Sequence, residues 1–159
     1  MQFVKFHEHI VRVPTRVGDV EIKRSDLWEG LGHFVLHPGE YVEVIEKASC
    51  EGCLESGSLT RVVDFGKFSV EDRVTLVPER EIVFDVRGGD TVPPSRFTIR
   101  LEEPEEGSLF VRFIYEEPEL KGDAAHPMYV RLRKNAYEQK DRETIEKIIE
   151  RRQLAASVS

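Results

Sequence analysis

The stretch that decides the fold is TRVVDFGKFSVEDRV, residues 60–74. It reads as two strands around Gly66-Lys67, because glycine at the first position of a two-residue loop suits a type II′ turn. Such a turn sets Phe65 opposite Phe68, Val63 opposite Val70 and Arg61 opposite Asp72. Side chains alternate with period two along a strand, so all six lie on one face. An otherwise apolar face therefore carries one facing pair of opposite charges.

Strands continue on both sides of this hairpin. From Val44 to about Glu117, turn signals fall at Ser56-Gly57, Gly66-Lys67, Pro78 to Glu81, Gly88 to Ser95 and Pro104 to Gly107, which divides the segment into six strands. Each hairpin predicts a register, and a one-residue slip would turn every side chain to the other face. Around Pro78, Leu76 is expected opposite Ile82, Val74 opposite Phe84 and Asp72 opposite Val86. The loop Pro104 to Gly107 predicts Leu101 opposite Leu109, Ile99 opposite Val111 and Phe97 opposite Phe113. Ser56-Gly57 predicts Leu54 opposite Leu59, Gly52 opposite Arg61 and Cys50 opposite Val63. The hairpins agree on which face is apolar. Arg61 and Asp72 are its lone polar patch, with Gly52 leaving space beside them.

Before this segment a strand runs from about Phe3 to Val13 and stops at Pro14, and residues 14–24 read as loop. Ser25 can cap a helix, with Asp26 and Glu29 near its positive end and Leu27, Trp28, Leu31 and Val35 at helical spacing. Pro38-Gly39 breaks it, and a second short helix is expected to follow. The last element is a long helix over about Met128 to Arg152, with Pro127 at its first position. Its less polar stripe is Tyr129, Leu132, Ala136, Tyr137, Thr144, Ile145, Ile148 and Ile149, interrupted by Lys140 and Asp141. The helix is therefore expected to cover the sheet without filling it tightly there. The tail 154–159 is expected to fray.

The chain has 159 residues, the size of a single domain (1–159), with 40% hydrophobic and 33% charged residues and a net charge of −7. An acidic chain without a basic block argues against nucleic acid as a partner. No run approaches the ~18 apolar residues of a membrane span. The alternating start MQFVKFHEHIVRV reads as a strand rather than a signal peptide, and two cysteines make no disulfide scaffold, so a cytoplasmic location is expected.

Five pieces of the sequence together resemble a known family: Glu8-His9, Leu27-Trp28-Glu29-Gly30-Leu31, RVVDFGKFSVEDRV, TIRLEEPEEGSLFVRFIYE and RKNAYEQKDRETI in the last helix. They span nearly the whole chain. The chain is identified as similar to the AtaL-like family of the SRPBCC superfamily, which holds START domains, polyketide cyclases and birch-pollen-type allergens. The resemblance implies an α+β helix-grip fold. In it a curved seven-stranded antiparallel sheet wraps around the long C-terminal helix, two short helices lie between strands one and two, and a ligand cavity lies between sheet and helix. Residues Gly32 to His37 depart from it, being rich in Gly, His and Phe where an Arg- and Glu-bearing helix is expected.

Within that frame the residues suggest several sites. Arg61 and Asp72 read either as a ligand anchor in an apolar cavity or as an interior ion pair that fixes register. In both cases the arginine favours an ionised aspartate. Tyr115 and Tyr137 end apolar stripes with hydroxyls that seek a partner. His9 shares a strand face with His7, and a histidine there can bind a ligand or carry a proton. Phe84, Phe97, Phe113 and Trp28 complete the expected ligand-binding set. Cys50-Glu-Gly-Cys53 resembles a redox or zinc motif, but in a strand Cys50 points in and Cys53 out, and no second such pair exists. His33 and His37 have metal-ligand spacing without a third ligand and read as a surface or cavity-mouth pair. Gly88-Gly89-Asp90 lacks the strand-to-helix setting of a phosphate loop. Arg112 reads as outer-face and solvated.

No metal or cofactor is expected. The expected function is binding of a small hydrophobic or aromatic ligand, its polar end oriented by Arg61 and Asp72. The alternatives are a cyclase, dehydratase or lyase using the same cavity, with no catalytic residue assigned, or an interaction module. Phe110 and Ile114 on the outer face could support a homodimer.

Overall fold

The computed structural model describes residues 2–90 and 92–158. Chain order is β1 (Phe3–Val13), a two-strand ribbon of β2 (Arg16–Val17) and β3 (Val20–Glu21), and α1 (Arg24–Leu36). Then come β4 (Lys47–Cys53), β5 (Ser58–Asp64), β6 (Ser69–Val77), β7 (Glu81–Val86), β8 (Ser95–Glu105), β9 (Ser108–Pro118) and α2 (Pro127–Val158). Seven strands form one antiparallel sheet in the order β1-β9-β8-β7-β6-β5-β4. The expected second short helix is a single 3-10 turn, Pro38–Glu40. The ribbon β2–β3 lies where a loop was expected.

The Gly66-Lys67 hairpin forms as the sequence predicts. Arg61 pairs with Asp72 and Val63 with Val70, Gly66 takes φ 90°, and the Phe65 and Phe68 rings stack 5.1 Å apart. The β6–β7 register is also as expected, with Asp72 opposite Val86 and Val74 opposite Phe84.

Two registers differ from expectation, each by two residues. In β8–β9, Leu101 faces Val111, Ile99 faces Phe113 and Phe97 faces Tyr115. Pro104 does not end the strand; it sits in an irregularity between Glu102 and Glu105, and the turn tightens around Gly107 at φ 84°. A proline without an N–H is tolerated at such a bulge. In β4–β5, Leu54–Ser56 coils into a 3-10 turn, so Gly52 faces Leu59 and Cys50 faces Arg61. Gly52 therefore leaves no space beside the charged pair. A shift of two preserves the inward face, which is why the apolar wall survives both slips.

α1 starts one residue before Ser25, at Arg24, and Asp26 accepts the Lys23 backbone N–H at 2.9 Å. α2 runs to Val158 rather than Arg152, continuing through the segment expected to fray; Ser159 lies outside the described residues. The core joins the concave sheet face to α1 and the C-terminal half of α2 through Leu27, Leu31, Val35, Ile99, Val111, Phe113, Ile145 and Ile148. The two helices touch at Gly30, where a Cβ would run into Ile148 Cγ2. Ile148 is 3% exposed and cannot yield easily. Gly30→Val is expected to cost about 1–3 kcal/mol by overpacking, read as a lower urea midpoint at unchanged slope.

Candidate functional site: a cavity between the sheet and the last helix

The N-terminal half of α2 stands off the sheet, and the space beneath it is a cavity of about 750 Å³. One wall is the opening hairpin: Arg61, Val63, Phe65, Phe68, Val70 and Asp72 all line it. Tyr129, Arg133, Tyr137 and Lys140 of α2 line the roof. They recur at helical spacing along one face. Farther along α2, Asp141, Thr144, Ile145 and Ile148 are buried. The cavity thus ends where the helix meets α1 and the core.

An aromatic ladder crosses the cavity. Phe84 stacks on Phe97 at 5.4 Å, Phe97 on Tyr115 at 4.6 Å, and Tyr115 on Tyr137 at 4.3 Å between centroids. Offset stacks of this kind add to area burial.

At one end of the ladder the Arg61 guanidinium lies over Phe84, 5.1 Å from the ring centroid. Its Nε and one Nη donate to the two Asp72 oxygens at 2.9 and 2.6 Å, and the other Nη donates to the Val35 carbonyl at 2.7 Å. Val35 lies in the last turn of α1, whose carbonyls lack helical partners. Both charged side chains are buried, at 8% and 4% exposure. The pair fastens α1 to the sheet as well as facing the cavity. Three of the five guanidinium N–H groups are engaged, and among the described residues the other two have no protein acceptor.

At the other end stands a group of four. Asp141 is 1% exposed. Its Oδ2 accepts the Tyr115 hydroxyl at 2.7 Å and lies 2.7 Å from His9 Nε2, while Oδ1 is 3.7 Å from Lys140 Nζ. Burial, reinforced by the Asp141 charge and hydrogen bond, pushes the Tyr115 phenol well above its ordinary range. Burial lowers the Lys140 amine, against the pull of Asp141. Nearby, Arg133 donates to Glu117 at 2.7 Å and to the Tyr137 hydroxyl at 2.9 Å.

Of the residues singled out from sequence, Arg61, Asp72, Phe84, Phe97, Tyr115 and Tyr137 line the cavity. His9, Phe113 and Trp28 are not among its lining residues. His9 stacks on Phe113 at 5.2 Å and reaches Asp141 from behind, and its Nδ1 is buried without a partner among the described residues. Phe113 is 1% exposed, within the core, and Trp28 packs against the core from α1. Their inward direction reaches core, because α1 and the C-terminal half of α2 cover that part of the sheet.

Cys50 is half-buried and Cys53 exposed, both free thiols, and burial raises the Cys50 pKa. His33 hydrogen-bonds Tyr41 at 2.8 Å and its ring lies 4.7 Å from that of His37. No group of three metal-capable side chains occurs among the described residues. Arg112 faces outward and pairs with Glu102 and Glu8. Phe110 and Ile114 are half-buried on that same face. Among the described residues no helix is long and apolar enough to cross a membrane.

Sequence comparison agrees with this architecture. Residues 13–156 match the family described as AtaL: Acetylaranotin biosynthesis cluster protein L. The chain belongs to the AtaL family. The matched span takes in Arg61, Asp72, Lys140 and Asp141 but begins after His9. No curated protein matches the sequence.

Solved structures share the fold at low identity. The chain superposes on Ara h 8.0201 with a TM-score of 0.63 at 15% identity, over 94% of this chain and 99% of that one. It superposes on the Zhui aromatase/cyclase from Streptomyces sp. R1128 with a TM-score of 0.61 at 18% identity, over 96% and 94%. For the di-domain ARO/CYC StfQ of the steffimycin biosynthetic pathway the TM-score is 0.69 at 9% identity, over 98% of this chain and 52% of that one. The chain therefore has the helix-grip fold that its sequence resemblance implied.

Proposed function

We propose that this AtaL-family chain binds a small, largely apolar aromatic molecule in the cavity beneath α2. The observation that carries this reading is the cavity itself, about 750 Å³ and walled by stacked rings. That volume falls in the ~300–1,000 Å³ range of small-molecule sites. Contact with the ladder would supply affinity, and a few polar groups would supply orientation. The Arg61–Asp72 pair is neutral as a unit and keeps two N–H groups uncommitted to protein acceptors. It suits a ligand hydroxyl or carbonyl better than a second charge. The name of the family, a biosynthesis cluster protein, accords with a small molecule of secondary metabolism.

The test is direct titration with the neutral fluorophore N-phenyl-1-naphthylamine, which is expected to fill one saturable site. Val86 lines the cavity beside Asp72. Val86→Trp should occupy that space and weaken binding at least about tenfold, since overpacking leaves the ligand no room. Equal binding by wild type and Val86→Trp would place the probe elsewhere and end this reading. Native mass spectrometry of the freshly purified chain adds a second check, a retained mass that Val86→Trp loses.

A second reading, turnover of the cyclase, dehydratase or lyase kind, has one specific observation in its favour. Tyr115 lines the cavity, and its hydroxyl is hydrogen-bonded to a buried aspartate that His9 also reaches. Such a chain can hold or pass a proton. Recovery of the bound molecule chemically unchanged after prolonged incubation would favour binding alone.

A further inference from the structure

Among the described residues the cavity is lined by four basic side chains, and three of them already hold a carboxylate. Arg61 grips Asp72, Arg133 grips Glu117 and Arg96 grips Asp85, each at 2.9 Å or less. Lys140 is the exception. Its Nζ stands over the faces of Phe97, Tyr115 and Tyr137, at 4.8, 5.3 and 5.4 Å from their centroids. Its ion partner, Asp141 Oδ1, is 3.7 Å away, beyond hydrogen-bond distance. The other oxygen of Asp141 is committed to Tyr115 and His9. An ammonium carries three donors, and the Lys140 side chain, 31% exposed, is partly withdrawn from water onto ring faces, which carries part of the cost of burying such a group. The lowered pKa of this amine is the same cost expressed as proton loss.

We propose that Lys140 is an anion subsite within the cavity. It takes the carboxylate, phenolate or enolate oxygen of an aromatic acid whose rings lie along the Phe84–Phe97–Tyr115–Tyr137 ladder. The site thereby gains what it lacks, an acceptor for the ammonium, and the ring faces that now surround the amine remain to stack on the ligand. The two polar ends of the cavity then differ in kind: a self-neutralised pair at Arg61–Asp72, and at Lys140 a cation whose ion partner among the described residues stands 3.7 Å away. A ligand with a neutral oxygen at one end and an acidic one at the other would be fixed in direction. This inference rests on the cavity-binding reading and names the chemical class that the cavity selects.

The experiment displaces bound N-phenyl-1-naphthylamine with 1-naphthoate and with 1-naphthamide, which share a ring system and differ in charge. Wild type is expected to prefer the carboxylate by about tenfold or more, in line with hydrogen bonds to charged groups, although the carboxylate is the more strongly hydrated of the two. In Lys140→Met the preference of the carboxylate over the amide should vanish, each competitor being measured against that variant's own fluorophore affinity. Equal displacement by the two competitors in wild type would overturn the subsite without using any variant. So would a preference that survives in Lys140→Met. If the fluorophore does not saturate a site in wild type, the cavity-binding reading fails first and the subsite falls with it.

Discussion

Truncating Asp72 to alanine is expected to lower folding stability by about 3–5 kcal/mol, the usual penalty for removing one partner of a buried ion pair. The guanidinium it leaves behind is 8% exposed, lies over Phe84 and, among the described residues, would keep only the Val35 carbonyl as a close acceptor. Arg61→Leu should cost a similar amount, because it strands the Asp72 carboxylate and frees a carbonyl in the last turn of α1. Replacing both by apolar residues of similar volume should recover most of the loss, since a buried pair adds little over a packed hydrocarbon. Urea unfolding of the three variants checks this. A loss under about 1 kcal/mol for Asp72→Ala would mean that water entering the cavity solvates the arginine. The double variant would also separate the pair's structural role from the proposed one, because it should fold yet lose orientation of a ligand hydroxyl or carbonyl if the proposal holds.

Asp141→Leu is expected to cost about 2–6 kcal/mol, because it orphans two groups at roughly 1–3 kcal/mol each. The Tyr115 hydroxyl and His9 Nε2 both lie at hydrogen-bond distance from one oxygen of that carboxylate. The same cluster predicts an alkaline limit. The Tyr115 phenol is held well above its ordinary range by burial first and by Asp141 second. The folded chain therefore keeps this proton after the unfolded chain has lost it. Its contribution to stability is complete below about pH 10 and declines as pH rises above that toward the folded pKa. Tyr115→Phe should flatten the decline, read from thermal midpoints across alkaline pH. Lys140 has the opposite slope. Its lowered pKa imposes a cost that is present below the folded pKa and is relieved as pH rises toward the ordinary lysine value. Lys140→Met should remove that cost and raise the midpoint at neutral pH, the stability–function trade expected of a site held ready for a ligand.

Much of the cavity wall was legible in the residues. The Gly66-Lys67 turn fixed one register, and period-two alternation then placed Arg61 and Asp72 among apolar neighbours on an inward face. Parity was robust enough to survive the two-residue shifts at Pro104 and Leu54. Direction along the sheet was not legible. His9, Phe113 and Trp28 point inward yet end in core or behind it, because what covers an inward residue depends on where the helices land. Lys140 and Asp141 did leave a signal as two charges interrupting the stripe of the last helix. The interruption reads as a loose fit, whereas it marks the boundary between the cavity roof and the packed half of α2.

The linear pattern alone settled the antiparallel strands, the face they bury, the long terminal helix and the family, because each depends on neighbours a few residues apart or on motifs read in order. The meeting of His9 with Asp141, 132 positions away, and the presence of Lys140 over the ladder depend on how far and at what angle α2 lies across the sheet. Those quantities are set by side-chain packing at contacts such as Gly30 with Ile148, which no local periodicity encodes.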